Sequence, residues 1–111
     1  MRALVFDDGL KVMDAPIPER GIGQALIRVT FAGICNTDVE VTRGYFAYKG
    51  IMGHEFVGVV EDADYTDLVG RRVVGEINIS CGECGTCRSG SIRHCERIRA
   101  MGINGWPGCF A

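Results

Sequence analysis

Four of the six cysteines, Cys81, Cys84, Cys87 and Cys95, fall within fifteen residues in the spacing C-x2-C-x2-C-x7-C. Thiolates spaced this closely can surround one ion, and Gly82, Gly85 and Gly90 permit the sharp turns required. Zinc held tetrahedrally by four sulfurs at ~2.3 Å keeps no position free for a substrate, so such a site orders a loop and performs no reaction. Disulfides are the bland alternative, and the clustering without an export signal argues against them. An iron–sulfur cluster is the sharper rival. Its ferredoxin-type run is C-x2-C-x2-C-x3-C-P, whereas here seven residues precede Cys95 and Glu96 follows it. His94 could stand in for Cys95 as a ligand, although a histidine beside a thiolate is more often its solvated neighbour.

Two further ligand types lie outside this run, Cys35 two residues after Gly33 and His54 directly after Gly53. Each sits where a predicted strand meets a turn, a position that can face a cleft. Taken singly, Cys35 reads as a small buried apolar residue and Gly53-His54-Glu55 as a short string.

The elements that must position these groups are short. Met1 to Phe6 and Leu10 to Asp14 form a hairpin through Asp7-Asp8-Gly9, ended by Pro16 and Pro18. Gln24 to Ala32 alternates, with Ala25, Ile27, Val29 and Phe31 on one face, which predicts a half-buried strand. Thr37 or Asp38 can cap a short helix through Val39 to Arg43 that stops at Gly44. Glu55 to Glu61 and Arg72 to Ile77 predict two more strands flanking an acidic turn from Asp62 to Asp67. From Cys81 to Cys95 apolar periodicity is missing, so order there requires another source of free energy, such as a metal.

Composition bounds the class. The 111 residues are enough for one modest core, and sixteen glycines, about twice the usual ~7%, suit many turns between short strands. The expected fold is therefore mainly β. A formal net charge of -2 supplies no general attraction for nucleic acid or anionic lipid. Arg88, Arg93, Arg97 and Arg99 make the cysteine lobe basic but lack interleaved aromatics, the pattern of a solvated face or subunit contact. Early charges at Arg2, Asp7 and Asp8 argue against a secretory signal, and no run spans a bilayer, so a cytoplasmic protein with no membrane role is expected.

Taken together and in order, Gly33-Ile34-Cys35-Asn36-Thr37-Asp38, Gly53-His54-Glu55-Phe56-Val57-Gly58 and the four-cysteine run resemble the zinc-dependent medium-chain alcohol dehydrogenases. The resemblance covers nearly the whole chain and implies a GroES-like, partly open β-barrel with short helices and a protruding zinc-binding loop at residues 80–98. Residues 1–111 would then be a truncated catalytic domain. It implies that Cys35 and His54 are ligands of a catalytic zinc, that Thr37 relays the substrate proton, and that Asp38 fixes the His54 ring. Glu55 either lies at that zinc or holds an arginine. The implied chemistry is hydride transfer between an alcohol, whether secondary, polyol or amino alcohol, and NAD(P), with zinc polarising the oxygen.

The resemblance also implies what lies elsewhere. No glycine-rich dinucleotide fingerprint occurs here, and the family carries it on a separate downstream Rossmann domain; the family's remaining catalytic-zinc ligand also falls beyond residue 111. The piece alone would be inactive and its catalytic zinc weakly held, while apolar faces uncovered by the missing parts predict a homo-oligomer. Asp64, where a small residue is usual in the family, and Arg71, where an aspartate is common, depart from the pattern. Tyr45, Phe46, Tyr48 and Met52 are candidate substrate-pocket residues. The alternative from another class is a stand-alone structural zinc module for protein interaction, in which Cys81 to Cys95 suffice and Cys35 and His54 are incidental.

Overall fold

The computed structural model describes every residue from Met1 to Ala111. Three small sheets and two short helices make up the chain, and the sheets do not close on one another. Strands β1 (Arg2–Phe6) and β2 (Leu10–Asp14) pair antiparallel from Arg2↔Asp14 to Phe6↔Leu10. Asp8 and Gly9 turn the chain between them at φ 53 and 143, the left-handed backbone expected of Asp-Asp-Gly. Lys49 Nζ caps that turn, 2.7 Å from Asp7 and 3.1 Å from Asp8, just before β4 (Gly50–Ile51) adds to the other edge of β1.

The second sheet carries the longest ladder, β3 (Ala25–Gly33) against β5 (Glu55–Ala63), with β6 (Arg72–Val74) on the far side of β5. The register shifts between Leu26 and Ile27 and again between Val29 and Phe31. These bulges interrupt the alternation expected of β3. Ile27 and Val29 are half-buried, but Phe31 is 76% exposed and lies level with Val57 and Val74 across the three strands. Strand β5 also runs two residues past the expected end at Glu61, because Leu26 and Ala25 pair with Asp62 and Ala63. The expected strand from Arg72 to Ile77 breaks at Gly75, where a Cβ would overlap the Phe56 ring, and resumes as β7 (Asn78–Ile79).

Helix α1 (Asn36–Thr42) begins one residue after Cys35, earlier than Thr37 or Asp38 as caps would allow. The cause is the Asp38 carboxylate, whose Oδ2 accepts the Cys35 N–H at 2.9 Å. Gly44 ends the turn at φ 89, as expected. Behind α1, Val41, Tyr48 and Met52 form the central apolar cluster with Phe6 and Phe110 packed on it. The Tyr48 hydroxyl donates to the Ile51 carbonyl at 2.6 Å. Strands β7, β8 (Arg99–Met101) and β9 (Gly105–Trp106) form the third sheet, at the base of a lobe that contains α2 (Gly85–Arg88). No helix is long and apolar enough to cross a membrane.

The loop before β3 is tied down by charge. Arg20 Nε and Nη1 bind Asp62 and Asp64 at 2.8 and 2.5 Å, and Asp64 also accepts the Gly23 N–H at 2.6 Å. The Gly23 hydrogen bond first, then Arg20, hold the Asp64 carboxyl below its usual range. A depressed carboxyl stabilises the fold above its unfolded value near ~3.9 and loses that contribution as pH falls through the lower folded value. Asp64→Asn should therefore be less stable than the parent at neutral pH, with the gap in urea midpoint closing below about pH 4. A gap that persists unchanged in acid would mean that Asp64 acts through shape and not charge.

Candidate metal centres

The lobe is built by local geometry. Helix α2 starts directly after Cys84 and carries Cys87, while a 3-10 turn over Ile92–His94 delivers Cys95. Antiparallel β7 and β8 pair Asn78 with Ala100 and Ile79 with Arg99, closing the two chain ends that enter and leave the lobe. The four sulfurs lie within 4.8 Å of one another, with Cys81 to Cys87 and Cys84 to Cys95 each at 3.9 Å. The cluster contains Cys95, whereas His94 is exposed.

Backbone N–H groups point at these sulfurs. Glu83 and Cys84 donate to Cys81 at 3.4 Å, and Cys81 and Arg97 donate to Cys95 at 3.3 Å. The Thr86 hydroxyl, 3.1 Å from Cys84 Sγ, does most to pull that thiol down to about 5. Burial, followed by the neighbouring sulfurs, pushes Cys87 up to about 12. Three of the four cysteines are buried, and only Ile98 is packed against them as a partly buried apolar residue from outside the set. Four converging thiols with N–H donors behind them and almost no apolar filling fit a thiophilic divalent cation, whose charge would relieve the crowding of thiolates. The lobe is closed outside by Arg97, 3.2 Å from Glu83.

The second centre is assembled from distant segments. In the β3–β5 ladder Gly33 pairs with Glu55, so the chain leaving β3 toward Cys35 passes the chain entering β5 from His54. The donor atoms of Cys35, His54 and Glu55 lie within 4.8 Å of one another. Sulfur, imidazole nitrogen and carboxylate form a mixed donor set that suits zinc, and three ligands leave a fourth position open. A Cβ on Gly33 would lie 3.0 Å from Glu55 Oε2, so this glycine leaves the carboxylate its place. Arg28 and Arg20 pair with Glu61, Asp62 and Asp64, and Glu55 lies with the cysteine and histidine.

Asp38 and His54 are both buried, and Oδ1 stands 3.3 Å from Nδ1. The two atoms do not form a hydrogen bond with each other, and neither has another partner. Such a pair is expected where a ring donates through Nδ1 to a carboxylate and offers Nε2 to a metal. Thr37, half-buried, places its hydroxyl 3.6 Å from Cys35 Sγ. The sixth cysteine, Cys109, was not singled out by its spacing. It is buried with its thiol 3.7 Å from the Glu55 carbonyl, and burial raises it to about 11.

Of the candidate pocket residues, Met52 is only 1% exposed and belongs to the core. Phe46 and Tyr48 line a cleft of about 550 Å³ between residues 46–51 and 103–107, and Tyr45 packs edge-on against Phe46 at 4.6 Å between ring centroids. Sequence reading also passed over Gly102 and Gly108, whose backbones touch Gly53 next to His54. The only signal for them was the density of glycine itself.

Comparison with known proteins places these features in a family. The family model for the alcohol dehydrogenase GroES-like domain matches residues 21–111. The L-threonine 3-dehydrogenases of Escherichia coli O139:H28 and Legionella pneumophila strain Corby are each 34% identical, over 97% and 95% of this chain and 34% and 33% of their own lengths. This chain therefore spans about a third of the curated relatives it matches. Among solved structures, the alcohol dehydrogenase TADH from Thermus sp. ATN1 is 35% identical with a TM-score of 0.85, covering 100% of this chain and 36% of that one. Glucose dehydrogenase of Haloferax mediterranei, solved with NADP, Zn and gluconolactone, is 28% identical with a TM-score of 0.85, covering 100% and 35%.

Proposed function

Because the chain belongs to the alcohol dehydrogenase GroES-like domain family, we propose that residues 1–111 are the zinc-holding part of the catalytic domain of an NAD(P)-linked alcohol dehydrogenase. The single observation that carries this reading is the convergence of Cys35, His54 and Glu55 within 4.8 Å, separate from the four-cysteine lobe at residues 80–98. In this reading Cys81, Cys84, Cys87 and Cys95 hold a structural zinc, and Cys35, His54 and Glu55 hold the catalytic one. When bound, the catalytic zinc supplies Lewis acidity, favouring loss of the alcohol proton and polarising the carbonyl oxygen in the reverse direction.

The chain's own residues supply the rest. In this reading Asp38, 3.3 Å from His54 Nδ1, draws the ring proton to that nitrogen and leaves Nε2 unprotonated for the metal. Thr37, beside Cys35, carries the substrate's hydroxyl proton away from the site. A nicotinamide held by a Rossmann-type domain outside these 111 residues would supply the hydride acceptor. The substrate is a small alcohol, of the secondary, polyol or amino-alcohol class. The relatives named above, threonine 3-dehydrogenases and a glucose dehydrogenase, support the last two classes. Phe31 and Val74, both exposed on either side of the half-buried Val57, support association into a homo-oligomer.

Metal counting tests the assignment. Two zinc ions per chain are expected, falling to one in His54→Gln or Cys35→Ser. A single ion that survives both substitutions would instead leave a structural zinc module that binds a protein partner, with no catalytic centre in this chain.

A further inference from the structure

We infer that Gly102 is a positioning residue for His54, joining the four-cysteine lobe to the second metal centre through a backbone-on-backbone contact. The inference rests on the proposed metal role of Cys35, His54 and Glu55. Gly102 directly follows β8, the strand that leaves the lobe, and it is buried at φ 63. A Cβ at this position would overlap the Gly53 carbonyl oxygen and would lie 2.8 and 2.9 Å from Gly53 C and N. All three atoms are main chain, so no side-chain rotamer can give way. Gly53 is the residue before His54, itself held at φ 92, and its own Cβ would overlap the Phe110 ring.

The contact is locked from both sides. On the lobe side, Met101 N–H donates to the Ile77 carbonyl at 3.0 Å, while Ala100 pairs with Asn78. The strands entering and leaving the cysteine cage therefore fix where Gly102 sits. On the other side, Gly108, Cys109 and Phe110 donate to the carbonyls of Ile51, Gly53 and Met52 at 2.8, 3.0 and 2.9 Å. A Cβ on Gly108 would overlap the Met52 carbonyl. The segment Ile51–Gly53 thus lies clamped against the chain returning from the lobe, and the peptide that orients His54 has no independent freedom.

Ligands in a metal site tolerate displacements of only ~0.2 Å in bond distance. Moving Gly53 aside by the space of a methyl group exceeds this and swings the imidazole away from Cys35. The cage, which draws all its ligands from residues 81–95, is unaffected by that movement.

The test is a cobalt titration of the full chain, reading the absorption of the all-sulfur and mixed-ligand sites separately, with circular dichroism as the check on folding. In Gly102→Ala the all-sulfur site should fill normally, while affinity for the second ion falls at least tenfold. Gly70→Ala is the control. Gly70 has φ 82 and nothing within 4 Å of its would-be Cβ, so it carries the same backbone strain without the collision, and both sites should stay within twofold of the parent. Second-site affinity within twofold of the parent in Gly102→Ala, or an equal loss in Gly70→Ala, overturns the inference. If Gly102→Ala does not fold, Phe110→Leu, which trims the ring over Gly53, is read the same way, and an undiminished second site again overturns it. A parent that binds one ion only would sink the metal role itself and this inference with it. A parent with two ions and a Gly102→Ala variant that binds the second as tightly sinks the positioning role alone.

Discussion

Replacing Cys87 with serine is expected to release the lobe's ion and unfold residues 80–98 while the β1–β2 hairpin keeps its structure. Cys87 is the ligand carried by α2, a helix of four residues that has no stability of its own. Around the buried sulfurs the lobe offers little more than Ile98 as apolar packing. Structural zinc supplies about 10–16 kcal/mol of apparent binding free energy in small zinc-dependent peptides, comparable with the ~5–15 kcal/mol total stability of a domain. Losing it should lower the thermal midpoint by about 10 °C or more. Hydrogen exchange should show the amides of Arg88, Ser89 and Gly90, which now donate to Cys84, Gly85 and Cys87, losing protection first. Protected lobe amides in metal-free Cys87→Ser would show that something other than the ion orders this segment.

Asp38→Asn should separate two jobs done by one carboxyl group. Oδ2 receives the Cys35 N–H and starts α1, whereas Oδ1 faces His54 Nδ1. An asparagine oxygen can take the first role, so the helix should survive with a loss below about 1 kcal/mol. Its NH2 then faces Nδ1, which must become the acceptor, and the ring proton moves to Nε2, the nitrogen needed by the metal. Zinc affinity at the Cys35–His54–Glu55 centre should drop about 10- to 100-fold, the usual penalty for losing a group that orients a ligand. Competition titration against a chelator measures the loss, and nitrogen-resolved NMR of His54 reads the tautomer. Unchanged affinity with the tautomer reversed would show that the carboxylate does not tune this site. By contrast, Asp38→Ala loses both partners and should weaken α1 by about 1 kcal/mol as well.

Much of this was legible in the sequence, for reasons that differ from residue to residue. The cage is local, so ligand spacing alone implied it, and the hairpin turn at Asp8-Gly9 is dictated by backbone sterics within a few residues. The pairing of Cys35 with His54 was available only through the family resemblance, because nothing in spacing requires residues nineteen apart to share an ion. The β3 alternation misled at Phe31, since a bulge is a property of two strands and is invisible in one. Met52 looked like pocket lining because its size and polarity are the same in a core as at a cleft wall. Gly102 and Gly53 are harder still. Their significance lies in two stretches of main chain meeting, and sequence records no side chain there to announce it.

The pairing of Gly33 with Glu55 also divides the chain into parts that can and cannot change length. Side chains alternate across a strand, so deleting one residue between Phe31 and Gly33 would shift the end of β3 by one position and carry Cys35 out of phase with the Glu55 carboxylate on β5. Residues 43–47, between the end of α1 and the anchored Tyr48, carry no such phase and can lengthen at small entropic cost. Because Phe46 and Tyr48 border the cleft, a change of length there would reshape its wall without moving Cys35, His54 or Glu55.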